Sequence, residues 1–438
     1  MGFFQDFKDN WNSIKETNSN TPKPSEGIRD TFIKDLERFY EDGTEPSQAS
    51  QDMRYFLHQH EKRLAEKGVK IQRRYTFVKK GVKHTVTRNR PPYTVDRSFV
   101  ECDSSTLYTN ASTQKRLKRP KKSASIFYAN ILNRLDIQDA EYICPNCGHK
   151  ATLEIFTNGC PMCGTRFQMK QLFPCVSNYW LMSQLTPRFS MEGLVRVIAT
   201  LAVLLGLGVG SYVGFQYWSD AGIGGALFFG IGAALLTGFM SFICIYILFS
   251  IFFMHYMFVK MFTHAVSTAD IASASLTKNS LTQAMQRFDP EFSYELFEGK
   301  AMSLFRAIVF SEDRTNMSIY RGDPDLPGFD DIIDIDYRGA MKYLNSRIQD
   351  GNILVLLVRL YMFNTYLIDG KIVQKKEDFN MTLIKRLTAQ EDLGFSIHAV
   401  NCKTCAASFD AMHVLQCPTC GTPYHLEDED WVVVGLKE

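Results

Sequence analysis

Residues 197–219, VIATLAVLLGLGVGSYVGFQYWS, and 221–259, AGIGGALFFGIGAALLTGFMSFICIYILFSIFFMHYMFV, decide how the rest of the chain is read. Neither stretch contains Asp, Glu, Lys or Arg, and Asp220 alone separates them. A helix of about 20 apolar residues spans a bilayer core of roughly 30 Å, and lipid offers unpaired backbone groups no partner. The first stretch fits one span. The second is nearly twice that length and reads as one span over Gly222 to Ile245, with the remainder through Phe252, Met254 and Phe258 leaving as a tilted or amphipathic helix. A hairpin buried in a soluble core is the alternative, although such cores rarely carry runs of this length.

Small residues recur every fourth position in both stretches: Gly206, Gly210 and Gly214 in the first, and Ala226, Gly230, Ala234 and Gly238 in the second. That spacing lets helix backbones approach closely in lipid, within the pair or between copies in a homo-oligomer. General glycine enrichment in membrane helices gives the same pattern. Lys170, Arg188 and Arg196 precede the hairpin and Lys260 follows it, so the excess of cations outside the turn puts both arms and both termini in the cytoplasm or the equivalent compartment of an organelle. A third crossing within the second stretch would put the C-terminal arm outside, but no charged turn divides it.

At 438 residues and 45% hydrophobic content the chain has room for two or three domains, and its net charge of +2 excludes nothing. Residues 1–27 read as a tail and linker without a cleavable signal peptide: charge is scattered through 1–20, and Pro22 and Pro24 mark the linker. Asp6 stands where myristoylation needs Ser or Thr, so Gly2 is no acceptor. Phe3, Phe4, Phe7, Trp11 and Ile14 share a helical face suited to docking or to a membrane surface.

The segment 28–140 reads as helical, then basic. Phe32, Ile33, Leu36 and Phe39, and then Met53, Phe56, Leu57 and Leu64, keep helical spacing. From Val69 to Lys122, fifteen Lys or Arg face only Asp96, Glu101 and Asp103, with Tyr75, Phe77, Tyr93, Phe99 and Tyr108 interleaved. Lys115, Arg116, Lys118, Arg119, Lys121 and Lys122 form the densest run. Three readings stand: a segment lying along anionic lipid, a nucleic-acid surface with cations on phosphates and aromatics on bases, or a solvated basic loop.

The strongest chemical signal is cysteine spacing. Cys144 and Cys147 precede Cys160 and Cys163 by twelve residues, in a ribbon placed at 141–175; Cys402 and Cys405 precede Cys417 and Cys420 by eleven, in a second at 398–426. Each Cys-x-x-Cys turn presents two thiolates to one ion, and two turns complete a tetrahedral zinc site. Four thiolates leave no open position, so both sites are read as structural. Gly148, Gly164 and Gly421 follow three of the second cysteines, where a left-handed turn suits glycine; Ala406 follows the fourth. Disulfides are the competing reading, which a cytoplasmic location opposes. His149, His413 and His425 are spare ligands that neither site needs, and Cys102, Cys175 and Cys244 are left over.

Beyond the hairpin, placed at 191–260, the segment 269–438 reads as an α+β domain. Ile271, Leu276, Leu281 and Met285 keep helical spacing, and Asp289-Pro290 reads as the cap of a helix with one apolar side, from Phe292 through Ile308. Strand-like runs cover Ile332 to Tyr337, Ile353 to Leu367, Lys371 to Val373 and Phe379 to Leu387, with Asp369-Gly370 as a hairpin turn. A last run, Trp431 to Leu436, follows the second ribbon. Asp334 and Asp336 alternate with Ile333, Ile335 and Tyr337 as on a half-exposed strand, and Arg359 and Tyr361 share a face, as pocket groups or, the commoner case, as a solvent-facing pair. No phosphate loop or nucleophile motif occurs, which argues against an enzyme.

The segment Asp289-Pro290-Glu291-Phe292-Ser293, with Phe297 and Phe305 after it, resembles the opening of a Tim forty-four-like domain. The ribbon Cys402 to Cys420 followed by Glu427-Asp428-Glu429-Asp430-Trp431 resembles bacterial membrane proteins that insert a zinc ribbon before the last strand of such a domain. The resemblance covers about 269–436. It implies a curved antiparallel sheet of the nuclear-transport-factor-two type, membrane tethering, a bacterial plasma membrane and a protein or lipid partner rather than catalysis. The short loop between Ser311 and Asp330 departs from the family, whose members run further helix there. The expected fold is thus a multidomain membrane protein: a two-helix hairpin, two four-Cys ribbons and a C-terminal α+β domain.

Overall fold

The structure is a computed structural model describing residues 24–78, 81–90, 93–120, 122–134, 141–144, 147–152, 155, 160–164, 173–183, 191–290, 292–389, 400–412 and 414–438. The N-terminal aromatic face at 3–14 and Lys121 lie outside the described residues. The chain divides into two compact units, Met1–Ser183 with Asp270–Glu438, and Gln184–Ala269.

In the first unit, α1 (Pro24–Asp42) and α2 (Gln51–Glu66) precede β1 (Val69–Phe77), β2 (Lys83–Arg90), β3 (Tyr93–Asn110), β4 (Ser123–Arg134), the short pair β5 (Glu141–Ile143) and β6 (Lys150–Thr152), and β7 (Cys175–Ser183). The two expected helices are present, but the basic part of 28–140 forms four strands of a five-stranded antiparallel sheet, of order β1-β3-β4-β7 with β2 beside β3, which β7 completes. Its sequence hid the sheet because cations occupy alternate positions: along β1, Val69, Ile71, Arg73 and Tyr75 face inward while Lys70, Gln72 and Arg74 face outward. A period of two was present, but an arginine sits on its buried side.

The C-terminal part of this unit holds α4 (Tyr294–Phe310), β8 (Ile332–Gln349), β9 (Ile353–Ile368), β10 (Lys371–Arg386), the pair β11 (Val400–Asn401) and β12 (Ser408–Phe409), and β13 (Val432–Lys437). Its sheet runs β13-β10-β9-β8, all antiparallel. Both hairpin turns are Asp-Gly pairs with positive φ: Asp369 and Gly370 at 49° and 71°, Asp350 and Gly351 at 52° and 76°. The second turn, which the sequence reading missed, carries β8 twelve residues past Tyr337. Helix α4 begins at Tyr294 with Ser293 as its cap residue; Asp289-Pro290 lies in the turn before it, where the Asp289 N–H still bonds the Met285 carbonyl at 2.9 Å. Every α4 residue except Lys300 is buried, so the one-sided reading of its apolar face is corrected.

The two sheets share one wiring. Each is a meander whose last strand follows a four-cysteine ribbon and pairs with the third strand: β7 with β4, β13 with β10. Where β8 runs unbroken along β9, with bulges near Tyr337, β1 and β2 cover the two ends of β3 separately. The outer edges are covered alike, by a parallel bridge from Ala49 to Val176 and from Tyr320 to Val433.

The halves interpenetrate. Trp180 of β7 belongs to the core that α4 and the β8–β10 sheet build, and Ile333 of β8 belongs to the core under α1 and α2. Gly339, at φ 72° on β8, lies against the Trp180 indole so closely that a Cβ would stand 2.5 Å from Nε1. Helix α2 packs on α4, where Lys300 pairs with Asp52 at 3.1 Å and the Arg306 guanidinium lies over the Phe56 ring at 4.9 Å. That double packing is why α4 has no free side.

The second unit is the helical stretch α3 (Met191–Gln286) up to Ala269, broken at Gly222, whose φ of 64° and ψ of −169° only glycine adopts readily. The two limbs run antiparallel, and the fourth-position small residues meet across them. A Cβ on Gly206 would stand 2.6 Å from the Ala234 carbonyl; one on Gly210, 2.5 Å from the Ala234 Cβ; one on Gly230, 3.0 Å from the Gly210 carbonyl. These faces are used within the hairpin. The large side chains turn outward, with Phe215 80%, Phe228 76% and Met254 72% exposed. Segments Arg196–Asp220 and Gly222–Phe252 are each long and apolar enough to cross a membrane. No charged turn divides the second limb, which stays helical in backbone through Gln286.

Candidate metal centres and the buried ion pairs between the sheets

The ladder of β5 with β6, Glu141↔Thr152 to Ile143↔Lys150, closes a hairpin whose turn carries Cys144 and Cys147. The Cys144 N–H bonds the His149 carbonyl at 2.8 Å, and the Gly148 N–H returns to the Cys144 carbonyl at 2.9 Å. The second knuckle repeats this, Gly164 N–H to Cys160 carbonyl at 2.9 Å. Gly148 and Gly164 take φ of 74° and 68°, which frees each loop to curl its amides toward the sulfurs.

In the other ribbon the Cys402 N–H bonds the Ala407 carbonyl at 2.9 Å, the Ala406 N–H bonds the Cys402 carbonyl at 2.8 Å and the Gly421 N–H bonds the Cys417 carbonyl at 2.8 Å. Gly421 has φ 72°, and Ala406 adopts φ 58°. The turn is thus the same, built with a residue that carries a steric penalty there.

In both sets the four sulfurs lie within 4.8 Å of one another. Cys144 to Cys163 is 3.7 Å, Cys147 to Cys160 3.5 Å, Cys402 to Cys420 3.5 Å and Cys405 to Cys417 3.6 Å. A tetrahedral ion with metal–sulfur bonds of about 2.3 Å spaces its sulfurs by roughly 3.8 Å, whereas a disulfide closes them to about 2.05 Å. All are free thiols, so each set can hold a metal ion. The backbone N–H groups of Cys405 and Thr404 lower the Cys402 pKa, while at Cys405 the Ala407 N–H is outweighed by the neighbouring thiols Cys420, Cys417 and Cys402, which raise its pKa. Neither set includes a histidine, and His413 lies outside the described residues.

The remaining predicted residues have a different setting. Lys115, Arg116, Lys118, Arg119 and Lys122 are exposed on the loop joining β3 to β4. Tyr75, Tyr93 and Tyr108, which alternate with cations in the sequence, are buried. Arg359 donates to the Asn380 side chain at 2.9 Å and pairs with Asp378 at 3.3 Å; Tyr361 is buried against Ala340, which corrects its solvent-facing reading.

Asp334 is the larger correction. It is 2% exposed and accepts two bonds of 2.6 Å from Arg73, itself buried on β1, and one of 3.0 Å from the Tyr108 hydroxyl. His60 lies beside it, its Nε2 2.7 Å from the Ile333 carbonyl and its Nδ1 3.3 Å from the Tyr40 hydroxyl. Burial lowers the His60 pKa, so the ring is neutral; Nε2 donates to the carbonyl and Nδ1 accepts from Tyr40. A second pair joins the halves where Arg97 of β3 bonds Glu298 of α4 at 2.6 Å, with the Tyr337 hydroxyl donating to the same carboxylate at 2.7 Å. The Arg97 guanidinium also lies 5.0 Å over the Trp180 ring. The signal for these pairs was the inward register of Arg73, because a buried cation needs a carboxylate from elsewhere.

No protein-family model, curated protein or solved structure matches the chain.

Proposed function

We propose that the protein is a membrane-anchored adaptor. The apolar hairpin crosses the bilayer twice, and the unit holding both ribbons stands on the cytoplasmic side with structural zinc in each four-cysteine set. The observation that carries this reading is the inside-out packing of the hairpin: glycine and alanine meet at the helix interface while Leu, Phe and Trp face outward, as in lipid rather than in water. Limbs of 25 and 31 residues reach about 37 and 46 Å, enough for a core of roughly 30 Å with tilt. Tyr212, Tyr217 and Trp218 near the turn suit a membrane–water interface.

Zinc is the metal that four thiolates at these separations favour, and thiols that stay free fit a reducing compartment. A binding role rather than catalysis is supported by how the buried carboxylates are used: Asp334 and Glu298 are each committed to an arginine that joins the sheets. The Tim forty-four-like reading of the C-terminal half draws support from a helix followed by a meander with a ribbon before the last strand. It implies a protein partner.

Alkaline carbonate extraction of native membranes tests the anchor; the chain is expected in the pellet, and its release would refute the crossing. Thiol labelling of intact cells or inverted vesicles tests the side, with chelator-dependent labelling of Cys147 and Cys405 expected from the cytoplasmic face only. Crosslinked pull-down from those membranes tests the adaptor role, with a defined stoichiometric protein expected.

A further inference from the structure

The loop between β3 and β4 is a fixed object. The Asn110 side chain accepts from the Ser112 N–H at 3.1 Å, the Thr113 N–H at 2.9 Å and the Thr113 hydroxyl at 3.0 Å. The Asn110 N–H bonds the Lys115 carbonyl at 2.8 Å, the Leu117 N–H bonds the Tyr108 carbonyl at 2.9 Å, and Leu117 packs onto the core under α1 and α2. From this anchored turn Lys115, Arg116, Lys118, Arg119 and Lys122 project into solvent, and among the described residues no carboxylate pairs with any of them. The buried cations of the same sheet are matched, Arg73 to Asp334 and Arg97 to Glu298, and so are the exposed Arg74, to Glu41, and Lys83, to Asp30. Arg88 on β2 and Lys70 on β1 also have no carboxylate partner among the described residues, but the densest group of such cations sits on this one preorganised loop.

We infer that this loop is a docking surface for the anionic phosphate headgroups of a lipid bilayer. The inference rests on the reading that the hairpin crosses that membrane. Lipid is favoured over nucleic acid because residues 111–122 carry no aromatic to stack on bases, Tyr75, Tyr93 and Tyr108 are 6–8% exposed, and the half-buried Phe77 and Phe99 pack on neighbouring side chains. Among the described residues the loop has no helix and pairs only through the single antiparallel bridge of Thr109 with Arg116, too short a ribbon to fill a groove. What remains is charge at fixed positions, which suits a plane of headgroups and acts over about 8–10 Å at physiological salt. Residues 184–190 join β7 to α3 in sequence and α3 runs on past Ala269 into this unit, so two covalent ties raise the local concentration of membrane around the loop.

The test uses the full chain in nanodiscs of neutral lipid, added to separate vesicles of phosphatidylcholine with or without phosphatidylserine. Wild type is expected to sediment with the phosphatidylserine vesicles and to be released at about 0.5 M salt. At roughly fivefold per cation, the variant K115Q/R116Q/K118Q/R119Q/K122Q is expected to bind at least about a hundredfold more weakly. These substitutions touch no buried pair, and an unchanged melting curve confirms that the variant folds. Equal binding to neutral and anionic vesicles, or full binding by the variant, would overturn the inference. Capture by single-stranded RNA without capture by anionic vesicles would overturn it in favour of a nucleic-acid surface. A chain released by carbonate would refute the membrane crossing instead, a result independent of what the loop binds in the vesicle assay.

Discussion

The two ribbons have the same cysteine spacing to within one residue and the same knuckle geometry, yet they stand differently in the fold. In the C-terminal ribbon Val400, Cys402, Phe409, Ala411, Met412 and Cys417 are part of the main core with Leu426 and Trp431, and the Ser318 hydroxyl donates to the Ala411 carbonyl at 2.5 Å. In the N-terminal ribbon Cys144, Ala151 and Cys160 are buried, but among the described residues none joins the cores of the two sheets. The C-terminal ribbon closes a core, and the N-terminal ribbon lies in sequence between β4 and β7, which pair directly with each other.

The largest way to break this contrast is to remove one ligand from each set. A structural zinc contributes on the order of 10–16 kcal/mol, against a total stability of about 5–15 kcal/mol for a domain. Cys417→Ser is expected to abolish cooperative thermal unfolding of the ribbon-bearing unit, followed by circular dichroism. Cys160→Ser is expected to lower its melting temperature by only a few degrees while metal content falls from two ions to one. Equal damage from both would show that the N-terminal ribbon is also part of the cooperative core.

The contrast further assumes that the two sheets unfold together. Arg73→Met strands Asp334 in the interior and is expected to cost about 3–5 kcal/mol in urea unfolding, with most of it recovered in the double variant with Asp334→Leu. Two separate transitions in the wild type would sink that picture. A third test sharpens it through pH. Burial opposes ionisation of Glu295, but Lys278 at 2.9 Å and then Arg97 outweigh it and hold the carboxyl at about 2 instead of 4.5. A depressed carboxylate stabilises fully above about pH 4.5 and loses that contribution as pH falls toward 2, on the order of 3 kcal/mol in all. Glu295→Gln should flatten stability over that window. The smallest effect concerns Ala406: at φ 58°, Ala406→Gly should stabilise the C-terminal ribbon by about 1 kcal/mol, whereas Gly148→Ala should weaken the N-terminal one.

Cysteine spacing and the absence of charge over two long stretches are local patterns, so both the four-sulfur sets and the apolar helices were legible in the sequence. So were the Asp369-Gly370 turn and the last strand after the second ribbon, although the two runs read at 371–373 and 379–387 form one strand, β10, because its ladder with β9 continues through the polar residues Gln374 to Asp378. The five-stranded sheet was not, since Arg73 and Arg97 interrupt its apolar alternation and only a carboxylate more than 200 residues away accounts for each. For the same reason Asp334 looked half-exposed: a strand states its period, and the partner that covers its polar face is supplied by another part of the chain. Sequence alone thus determined the helices, the metal-competent thiols and the local turns, whose causes lie within a few residues. The joining of N- and C-terminal arms into one unit was decided by tertiary structure, because buried charge pairs and shared cores depend on which distant faces meet.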